Sequence, residues 1–301
     1  MEREVLPPRP KLEFDGEFLH KLEYLNVVAR KILAGSLRAD RRSIRKGSSA
    51  EFADHRAYVA GDDPRHVDWH LFGRLEEVFL KLYREEENLH LTVLVDTSDS
   101  MNLGRQHKLN HALRLTAAMA YIGMANMDTA QVVPFSDRML TPSGHMKGKA
   151  KLRRMLDKLH EIEPSGITRM DQALTEYAKR ERRRGVIYVI SDFLDLDGFR
   201  QGLDLLAKSR HDVNVIHVLD DMDMRPAIRG DLRLIDSESK VTRDVTITDS
   251  MLDRYEEAVK EHVQSVKSYC TKKEIRYFAA PTDQPFDDLV LALLRGGGLV
   301  R

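Results

Sequence analysis

The chain has 301 residues, and its 48 Lys and Arg residues balance 48 Asp and Glu residues, so the formal net charge is zero. Because no overall basic field would attract polyanions, the composition argues against nucleic acid and anionic membranes as partners. The length suits one α/β domain of roughly 200 residues preceded by a smaller segment. The single cysteine, Cys270, excludes an internal disulfide and a cysteine-based zinc site, and it favours a reducing compartment.

The N-terminal segment begins with a proline-rich stretch, residues 1–10, which predicts an extended arm. Apolar residues then recur at helical spacing from Glu17 to Leu37, which predicts one amphipathic helix. The chain starts without the basic and apolar stretches of a signal peptide, and no run of about 18 apolar residues follows. We therefore expect a cytoplasmic protein and no direct attachment to a membrane, so that any attachment would be made through partners.

A basic run at the end of this helix contains Arg38, Arg41, Arg42, Arg45 and Lys46. The run could bind phosphate or an acidic partner, or it could be a solvated helix end that the helix dipole favours. The neutral net charge favours the solvated helix end. For the same reason, a nucleic-acid interface formed by this run and Arg182–Arg184 is the weakest functional hypothesis.

The stretch 51–70 combines a Gly-Asp-Asp-Pro turn signal with interleaved Arg and Asp residues. This pattern predicts a hydrogen-bonded charge network around the only tryptophan, Trp69. His66 and His70 stand four residues apart and could bind a metal together with Asp68. The sequence offers no third strong ligand, so a structural role is favoured for these histidines.

A strand candidate, Val78–Tyr83, precedes the polar turn that leads to Leu91. We expect this strand to form a hairpin with the strand that begins at Leu91. The boundary between the two parts of the chain then falls near Asn88. Residues 1–88 form the smaller N-terminal segment, and residues 89–301 form the larger domain.

Beyond that boundary, short apolar runs alternate with helical patterns, which is typical of a parallel sheet with helices on both faces. The predicted strands are Leu91–Val95, Ala130–Phe135, Val186–Ile190, Val213–Leu219 and Ile275–Ala279. The alternation is interrupted at residues 220–248, where two short apolar stretches predict an inserted β-hairpin. The predicted fold class is therefore α/β, with a Rossmann-like, mostly parallel central sheet flanked by helices.

Polar residues follow two of these strands where each strand ends. The first strand leads into Asp96-x-Ser98-x-Ser100, and the third leads into Ser191-Asp192. Parallel strands bring their carboxyl ends to one edge of the sheet, so we expect Asp96 and Asp192 to meet there. Carboxylate and hydroxyl oxygens are hard ligands that suit Mg²⁺ better than they suit Zn²⁺ or Cu⁺. Such an ion would still attract an oxygen from water, a substrate or a partner's carboxylate.

The chain resembles von Willebrand factor A-type domains in three motifs of their metal-ion-dependent adhesion site: Asp96-x-Ser98-x-Ser100, Gly166-x-Thr168 and Ser191-Asp192. The resemblance covers the chain from about Leu89 to its end. It implies that Mg²⁺ is bound by the hydroxyl oxygens of Ser98, Ser100 and Thr168, directly or through water. Mn²⁺ or Ca²⁺ would be alternatives to Mg²⁺. It also implies that Asp96 and Asp192 supply charge and hold coordinated waters, and that an Asp or Glu of a protein partner completes the coordination.

The preceding segment adds a second resemblance, in the pattern Arg56-x-Tyr58-x-x-Gly61-Asp62-Asp63-x-Arg65-x-x-Asp68-Trp69. This pattern, followed by a strand and Asp96, is similar to the bacterial domain-of-unknown-function family fifty-eight. The resemblance implies a MoxR-type AAA+ ATPase as a partner and a chaperone-like role in the assembly or maturation of other proteins. The expected function is thus a non-enzymatic protein-interaction module.

Two other interpretations of the same residues stay open. Ser98 and Ser100 could cap the next helix, and Thr168 with Asp171 could be a second capping arrangement. Alternatively, Asp96 could be the nucleophile of a metal-dependent phosphohydrolase or phosphotransferase of the dehalogenase-like class. That class requires a second acid two residues after the nucleophile, where this chain has Ser98. Ser98 is therefore the residue that separates the two functions.

Overall fold

The computed structural model describes residues 12–40, 51–84, 90–104, 107–126, 128–181, 183–195, 198–209, 211–236 and 241–296. These residues form two compact units, one made of residues 12–32 and 90–296 and the other of residues 33–84. The predicted arm at residues 1–10 and most of the basic run, residues 41–46, lie outside the described residues.

The helices of the described residues are α1 (Gly16–Asp40), α2 (Trp69–Leu75), α3 (Lys108–Ala125), α4 (Leu152–His160), α5 (Met170–Arg180), α6 (Arg200–Lys208), α7 (Asp221–Met224), α8 (Asp249–Lys272) and α9 (Phe286–Arg295). The strands are β1 (Glu51–Ala57), β2 (Phe79–Arg84), β3 (His90–Asp96), β4 (Thr129–Phe135), β5 (Met146–Lys147), β6 (Val186–Ser191), β7 (Asp212–Leu219), β8 (Gly230–Ile235), β9 (Thr242–Ile247) and β10 (Arg276–Pro281). No helix within the described ranges has the length and apolar composition that a transmembrane span requires.

The larger unit is built on a six-stranded sheet with the order β10-β7-β6-β3-β4-β5. Its strands pair in parallel, and the short β5 is antiparallel to β4. Successive residues of a strand point to opposite faces, so each strand contributes to two cores. Val93 and Val95 belong to the core with α1, α3, α4 and α9, whereas Leu94 belongs to the core with α5, α6 and α8. The predicted fold class, a mostly parallel central sheet flanked by helices, is confirmed.

Helix α1 is part of the larger unit up to Ile32, although the sequence prediction placed residues 1–88 in one segment. Its apolar stripe explains this grouping, because Leu22 and Leu25 are completely buried in the core that α1 shares with the sheet and α9. The ring of Phe18 also lies 5.0 Å from the ring of Phe286 at the start of α9.

We predict that Leu22→Ala lowers the free energy of unfolding of the larger unit by about 2–5 kcal/mol, because it deletes buried methyl groups and leaves a cavity. Urea denaturation followed by circular dichroism measures this change. The control is Val27→Ala on the same helix, since Val27 is 51% exposed, and its effect should stay within about 0.5 kcal/mol. Similar small effects of both substitutions would contradict the packing of α1 in this core.

The smaller unit contains β1 and β2, which pair with each other in an antiparallel ladder. The sequence had predicted that Val78–Tyr83 pairs with the strand beginning at Leu91, and that prediction is wrong. The reason is that β3 pairs with β4 along one edge and with β6 along the other. A strand in the interior of a sheet has no free edge for a hairpin partner.

Asp68 is the centre of a polar network in the smaller unit. Its Oδ1 accepts hydrogen bonds from the N–H groups of His70 at 3.1 Å and Leu71 at 3.2 Å, which caps α2. Its Oδ2 lies 2.9 Å from His55 Nε2 and 3.5 Å from Lys81 Nζ. The hydrogen bond with His55 is the main reason that the pKa of Asp68 is lowered to about 2.

A second ion pair of this unit joins Arg56 Nη2 to Asp62 Oδ2 at 2.6 Å. Asp62 Oδ2 also accepts from the Val59 N–H at 3.1 Å, which fixes the turn of the Gly-Asp-Asp-Pro motif. Of the interleaved Arg and Asp residues, Arg56 and Asp62 therefore form a hydrogen-bonded pair, whereas Asp68 is paired with His55 and Lys81. Trp69 is not enclosed by them, because its side chain is 64% exposed.

The lowered pKa of Asp68 predicts an acid-sensitive smaller unit. The ionised carboxylate contributes its full stabilisation above the pKa of an unfolded aspartate, about 4, and this contribution disappears as the pH falls towards about 2. We expect Asp68→Asn to be less stable at pH 7 and to lose less stability than the wild type between pH 4 and 2. Trp69 fluorescence during urea titrations reports this transition. Asp63→Asn, which alters a carboxylate that accepts from the Arg65 N–H, is the control, and identical pH profiles for Asp68→Asn and the wild type would contradict the assignment.

The segment between β7 and α8 carries α7 followed by the antiparallel pair β8 and β9. The paired strands Gly230–Ile235 and Thr242–Ile247 therefore lie inside the predicted insertion at 220–248. Because β7 is parallel to β6, the insertion leaves the sheet at the edge where β3 and β6 also end. That edge carries the predicted site.

Candidate metal-binding site

Asp96, the last residue of β3, is the centre of the candidate site and is completely buried. Its Oδ1 accepts from the Ser98 N–H at 3.0 Å, and its Oδ2 accepts from the Ser191 hydroxyl at 2.7 Å. The hydroxyl oxygens of Ser98 and Ser100 are 3.0 Å apart. Ser98 is buried, whereas Ser100 is partly exposed. The hydroxyl pair therefore connects the buried carboxylate with the surface.

Asp192 follows β6 and lies beside this hydroxyl pair, with 2% of its surface exposed. Its carboxylate accepts a hydrogen bond from Ser100. Its Oδ2 also accepts from Lys108 Nζ at 2.7 Å, and its Oδ1 accepts from the Leu194 N–H at 3.2 Å. The backbone carbonyl of Asp192 accepts from His217 Nε2 at 2.9 Å, which fixes the loop after β6. The structure thus joins four of the five predicted ligands in one hydrogen-bonded cluster: Asp96, Ser98, Ser100 and Asp192.

The fifth predicted ligand, Thr168, is buried in the loop before α5, with 5% of its surface exposed. Two backbone hydrogen bonds join this loop to the segment that carries Ser98. The Ser165 N–H donates to the Thr97 carbonyl at 2.8 Å, and the Asp99 N–H donates to the Gly166 carbonyl at 2.9 Å. The Thr168 loop is therefore attached directly to the loop after β3.

Helix capping does not explain Ser98 or Asp171. The N–H of Met170, at the start of α5, donates to Asp195 Oδ2 at 2.7 Å. Asp171 accepts instead from the Gly202 N–H of α6 at 2.7 Å. Within the described residues, Ser98 makes no side-chain cap bond to the turn that follows it. The capping interpretation therefore fails for Ser98, and Asp171 links α5 to α6.

The two buried carboxylates repel each other, and their pKa values move in opposite directions. Burial raises the pKa of Asp96, and the charge of Asp192 raises it further. Burial also acts to raise the pKa of Asp192, but the ammonium of Lys108 outweighs this effect and lowers it. The site therefore places one carboxylate beside a built-in cation and leaves the other without one.

Lys108 Nζ also lies 2.7 Å from Asp223 Oδ2, on α7. Although burial opposes it, the two carboxylates raise the pKa of Lys108, so the side chain stays charged. Formally, three carboxylates against one ammonium leave a charge of minus two, which one divalent cation would neutralise. The donor set of hydroxyls and carboxylates and this charge both suit Mg²⁺ or Mn²⁺. Within the described ranges, no group of three His, Cys, Asp or Glu side chains could hold a metal, so the hydroxyls are essential to this candidate.

The sequence analysis does not identify two residues of the cluster, Lys108 and Asp223. It names Ser191 as part of the Ser191-Asp192 motif but assigns it no role, although a hydroxyl before a strand-ending carboxylate is a usable signal. Lys108 could have been found as a charged residue that opens a helix of mostly apolar residues. Asp223 lies in the stretch assigned to the inserted hairpin, and its local sequence carries no comparable signal.

A glycine allows the loop before α3 to approach Asp220. Gly104 has a φ of +101°, and a Cβ added there would lie 2.7 Å from Cγ and Oδ2 of Asp220. Asp220 is itself held in place, because Oδ2 accepts from Thr282 Oγ1 at 2.7 Å and Oδ1 accepts from the Met222 N–H at 2.9 Å. A side chain at position 104 would therefore displace the loop that leads to Lys108.

We predict that Gly104→Ala lowers the free energy of unfolding by at least about 1 kcal/mol more than Gly144→Ala does, as measured by urea denaturation. Gly144 is the matched control, because its φ is +80° but no described atom lies within 4 Å of an added Cβ. Its substitution should cost about 1 kcal/mol, from backbone strain alone. Equal losses in the two variants would show that the approach to Asp220 is not tight.

Comparisons with known sequences bear on the family of this chain. The family model described as Protein of unknown function DUF58 matches residues 54–265, which include all five predicted ligands and the Asp68 network. The chain belongs to this family. An uncharacterized protein of Mycobacterium tuberculosis is 28% identical to it over 254 residues, which cover 82% of this chain and 80% of that protein. An uncharacterized protein of Mycobacterium avium is 38% identical over 90 residues, which cover 30% of this chain and 53% of that protein.

Solved structures similar to this DUF58 protein include the conserved hypothetical protein BatB of Bacteroides thetaiotaomicron. That comparison has a TM-score of 0.44 and 13% identity, and it covers 69% of this chain and 96% of the other. The VWA domain of SpRpn10 has a TM-score of 0.37 and 12% identity, over 67% of this chain and 94% of the other. The manganese-loaded TRAP protein of Plasmodium vivax has a TM-score of 0.35 and 20% identity, over 44% of this chain and 57% of the other.

Proposed function

We propose that this chain is a non-enzymatic protein-interaction module whose Mg²⁺ ion binds an Asp or Glu of a partner. The ligands of the ion would be Asp96, Ser98, Ser100, Thr168 and Asp192, and Mn²⁺ or Ca²⁺ could replace Mg²⁺. The observation that carries the proposal is the cluster at the carboxyl edge of the sheet, where a hydroxyl pair connects two buried carboxylates.

In such a site, the carboxylates would supply negative charge, and the hydrogen bonds of the cluster would hold the ligand oxygens in position. Asp96 is held in one orientation by the Ser98 N–H and the Ser191 hydroxyl, so its oxygens stay in place without an ion. Ser100 lies nearer the surface than Ser98, so a partner's carboxylate would approach the ion from the side of Ser100. When bound, the cation would offer a coordination position to that carboxylate, because an octahedral Mg²⁺ takes six oxygen ligands and this set would supply five.

The alternative function is a phosphohydrolase or phosphotransferase with Asp96 as nucleophile. The environment of Asp96 speaks against it, because the side chain is completely buried and both carboxylate oxygens accept hydrogen bonds. The second acid that the dehalogenase-like class requires is replaced by Ser98. We therefore favour binding over catalysis.

For the partner we propose a MoxR-type AAA+ ATPase, and for the process the chaperone-like assembly or maturation of other proteins. This choice rests on the resemblance of the pattern from Arg56 to Trp69 to the DUF58 family. We place the interaction in the cytoplasm, in accordance with the single cysteine of the sequence. A nucleic-acid partner is not part of the proposal, because the net charge is zero.

The first test measures the metal alone. We expect Mn²⁺ to bind the wild-type chain in a calorimetric titration, and we expect Asp96→Asn and Thr168→Val each to weaken binding by about tenfold or more. The matched control is Thr116→Val, which removes a buried hydroxyl that donates to the Ala112 carbonyl within α3. Unchanged affinity in Thr168→Val would remove Thr168 from the site, and no binding by the wild type would contradict the proposal.

The second test measures the partner. We expect the wild type to retain the cognate AAA+ ATPase in a pull-down with Mg²⁺, and we expect EDTA or Asp96→Ala to abolish this retention. Equal recovery in every lane would reject a metal-bridged contact, provided that circular dichroism shows folded variants. The same preparations distinguish the alternative function, because p-nitrophenyl phosphate turnover that Asp96→Asn abolishes would favour the enzyme.

A further inference from the structure

The ion pair of Lys108 is the feature that the proposed function does not use. Lys108 is the first residue of α3 and is 1% exposed, and its Nζ lies 2.7 Å from both Asp192 Oδ2 and Asp223 Oδ2. A buried ammonium group therefore already contacts one of the two carboxylates that the metal would need. The side chain cannot withdraw to solvent without breaking both contacts.

We propose that Lys108 is an internal counter-cation that competes with the divalent ion for Asp192 and thereby sets the affinity of the site. This inference rests on the proposed metal site and describes its regulation. It assigns Asp223 a role as well, namely to hold the ammonium of Lys108 when the ion takes a share of Asp192. The site then binds a divalent ion more weakly than the same oxygen ligands would bind it in the absence of Lys108.

The geometry supports competition, because the ammonium occupies a carboxylate oxygen of Asp192 that an ion could use. Oδ1 of Asp192 is bonded to the Leu194 N–H, and Oδ2 is bonded to Lys108. An ion that approaches either oxygen also approaches the positive charge of Lys108, and the low dielectric of a buried site strengthens this repulsion. Burial therefore makes the ammonium an effective competitor.

The position of Asp223 supports its role as the second anchor. Its side chain is 25% exposed, and it belongs to α7 in the insertion after β7, outside the predicted ligand loops. Its backbone carbonyl accepts from the Tyr255 hydroxyl of α8 at 3.0 Å. Asp223 therefore keeps its place through a contact that is independent of Asp192, and it can hold Lys108 there.

The formal charge of the cluster gives four variants with a defined order. With every carboxylate ionised and the amine protonated, the formal charge of Asp96, Asp192, Asp223 and Lys108 together is minus two in the wild type. It becomes minus three in Lys108→Met, minus one in Asp223→Asn and minus two again in the double variant. If the ammonium acts through its charge, the affinity for a divalent ion follows this order.

The experiment titrates each full-length variant with MnCl₂ by isothermal calorimetry, and thermal unfolding without metal checks that each variant is folded. We expect Lys108→Met to bind Mn²⁺ about tenfold or more tightly than the wild type and Asp223→Asn about tenfold or more weakly. The double variant should bind within about threefold of the wild type, because its charge is the same. We also expect Mn²⁺ to raise the unfolding temperature of Lys108→Met more than that of the wild type. Should Lys108→Met not fold even with Mn²⁺, Lys108→Gln takes its place.

The outcomes separate this inference from the proposed function. If the wild type binds Mn²⁺ and Lys108→Met binds it equally or more weakly, Lys108 only positions Asp192 and the inference is overturned, while the proposed metal site stands. If Lys108→Met binds Mn²⁺ and the wild type does not, the inference holds and the proposed function of the wild type fails. If no variant binds, both fail.

Discussion

The burial of two carboxylates at the ends of neighbouring parallel strands is the constraint on which this edge of the protein depends. Asp96 and Asp192 lie in a medium that disfavours charge, and they repel each other. The surrounding chain compensates with backbone N–H groups, hydroxyls and one ammonium. The position of Lys108 in turn requires that α3 begin close to the sheet, which the glycine at 104 permits. The arrangement of several loops thus places hydrogen-bond donors and one positive charge next to the two buried carboxylates.

The parts of this arrangement that the sequence predicted are those that follow from periodicity and topology. An uninterrupted apolar run such as Leu91–Val95 indicates a strand buried on both faces, and successive strands of this kind indicate a parallel sheet. The carboxyl ends of parallel strands lie at one edge of the sheet, so the sequence pattern alone predicts that Asp96 and Asp192 lie close to each other. Thr168 was named through a resemblance between motifs, since its own surroundings in the sequence are ordinary.

The parts that could not be predicted depend on contacts between distant residues. Lys108 meets a carboxylate 84 residues away and another 115 residues away, and no local pattern indicates either pairing. The pairing of β2 was predicted wrongly for a similar reason. A strand pattern indicates that the strand pairs with another strand, but it does not identify the partner. The apolar stripe of α1 likewise predicted a buried face, but burial alone does not identify the core that receives it.

The networks around Asp68 and Asp96 differ in the direction in which they shift the pKa of the central carboxylate. Asp68 receives two backbone N–H groups, His55 and Lys81, and these contacts lower its pKa, so the ionised group stabilises the fold around it. Asp96 is bonded as completely in geometric terms, yet burial and Asp192 raise its pKa. A network that served stability alone would be expected to resemble that of Asp68, since a raised pKa means that the folded state bears a cost for keeping the group ionised. A cation from outside the chain would remove that cost, which is the physical reason for proposing a ligand at the edge of the sheet where Asp96 lies.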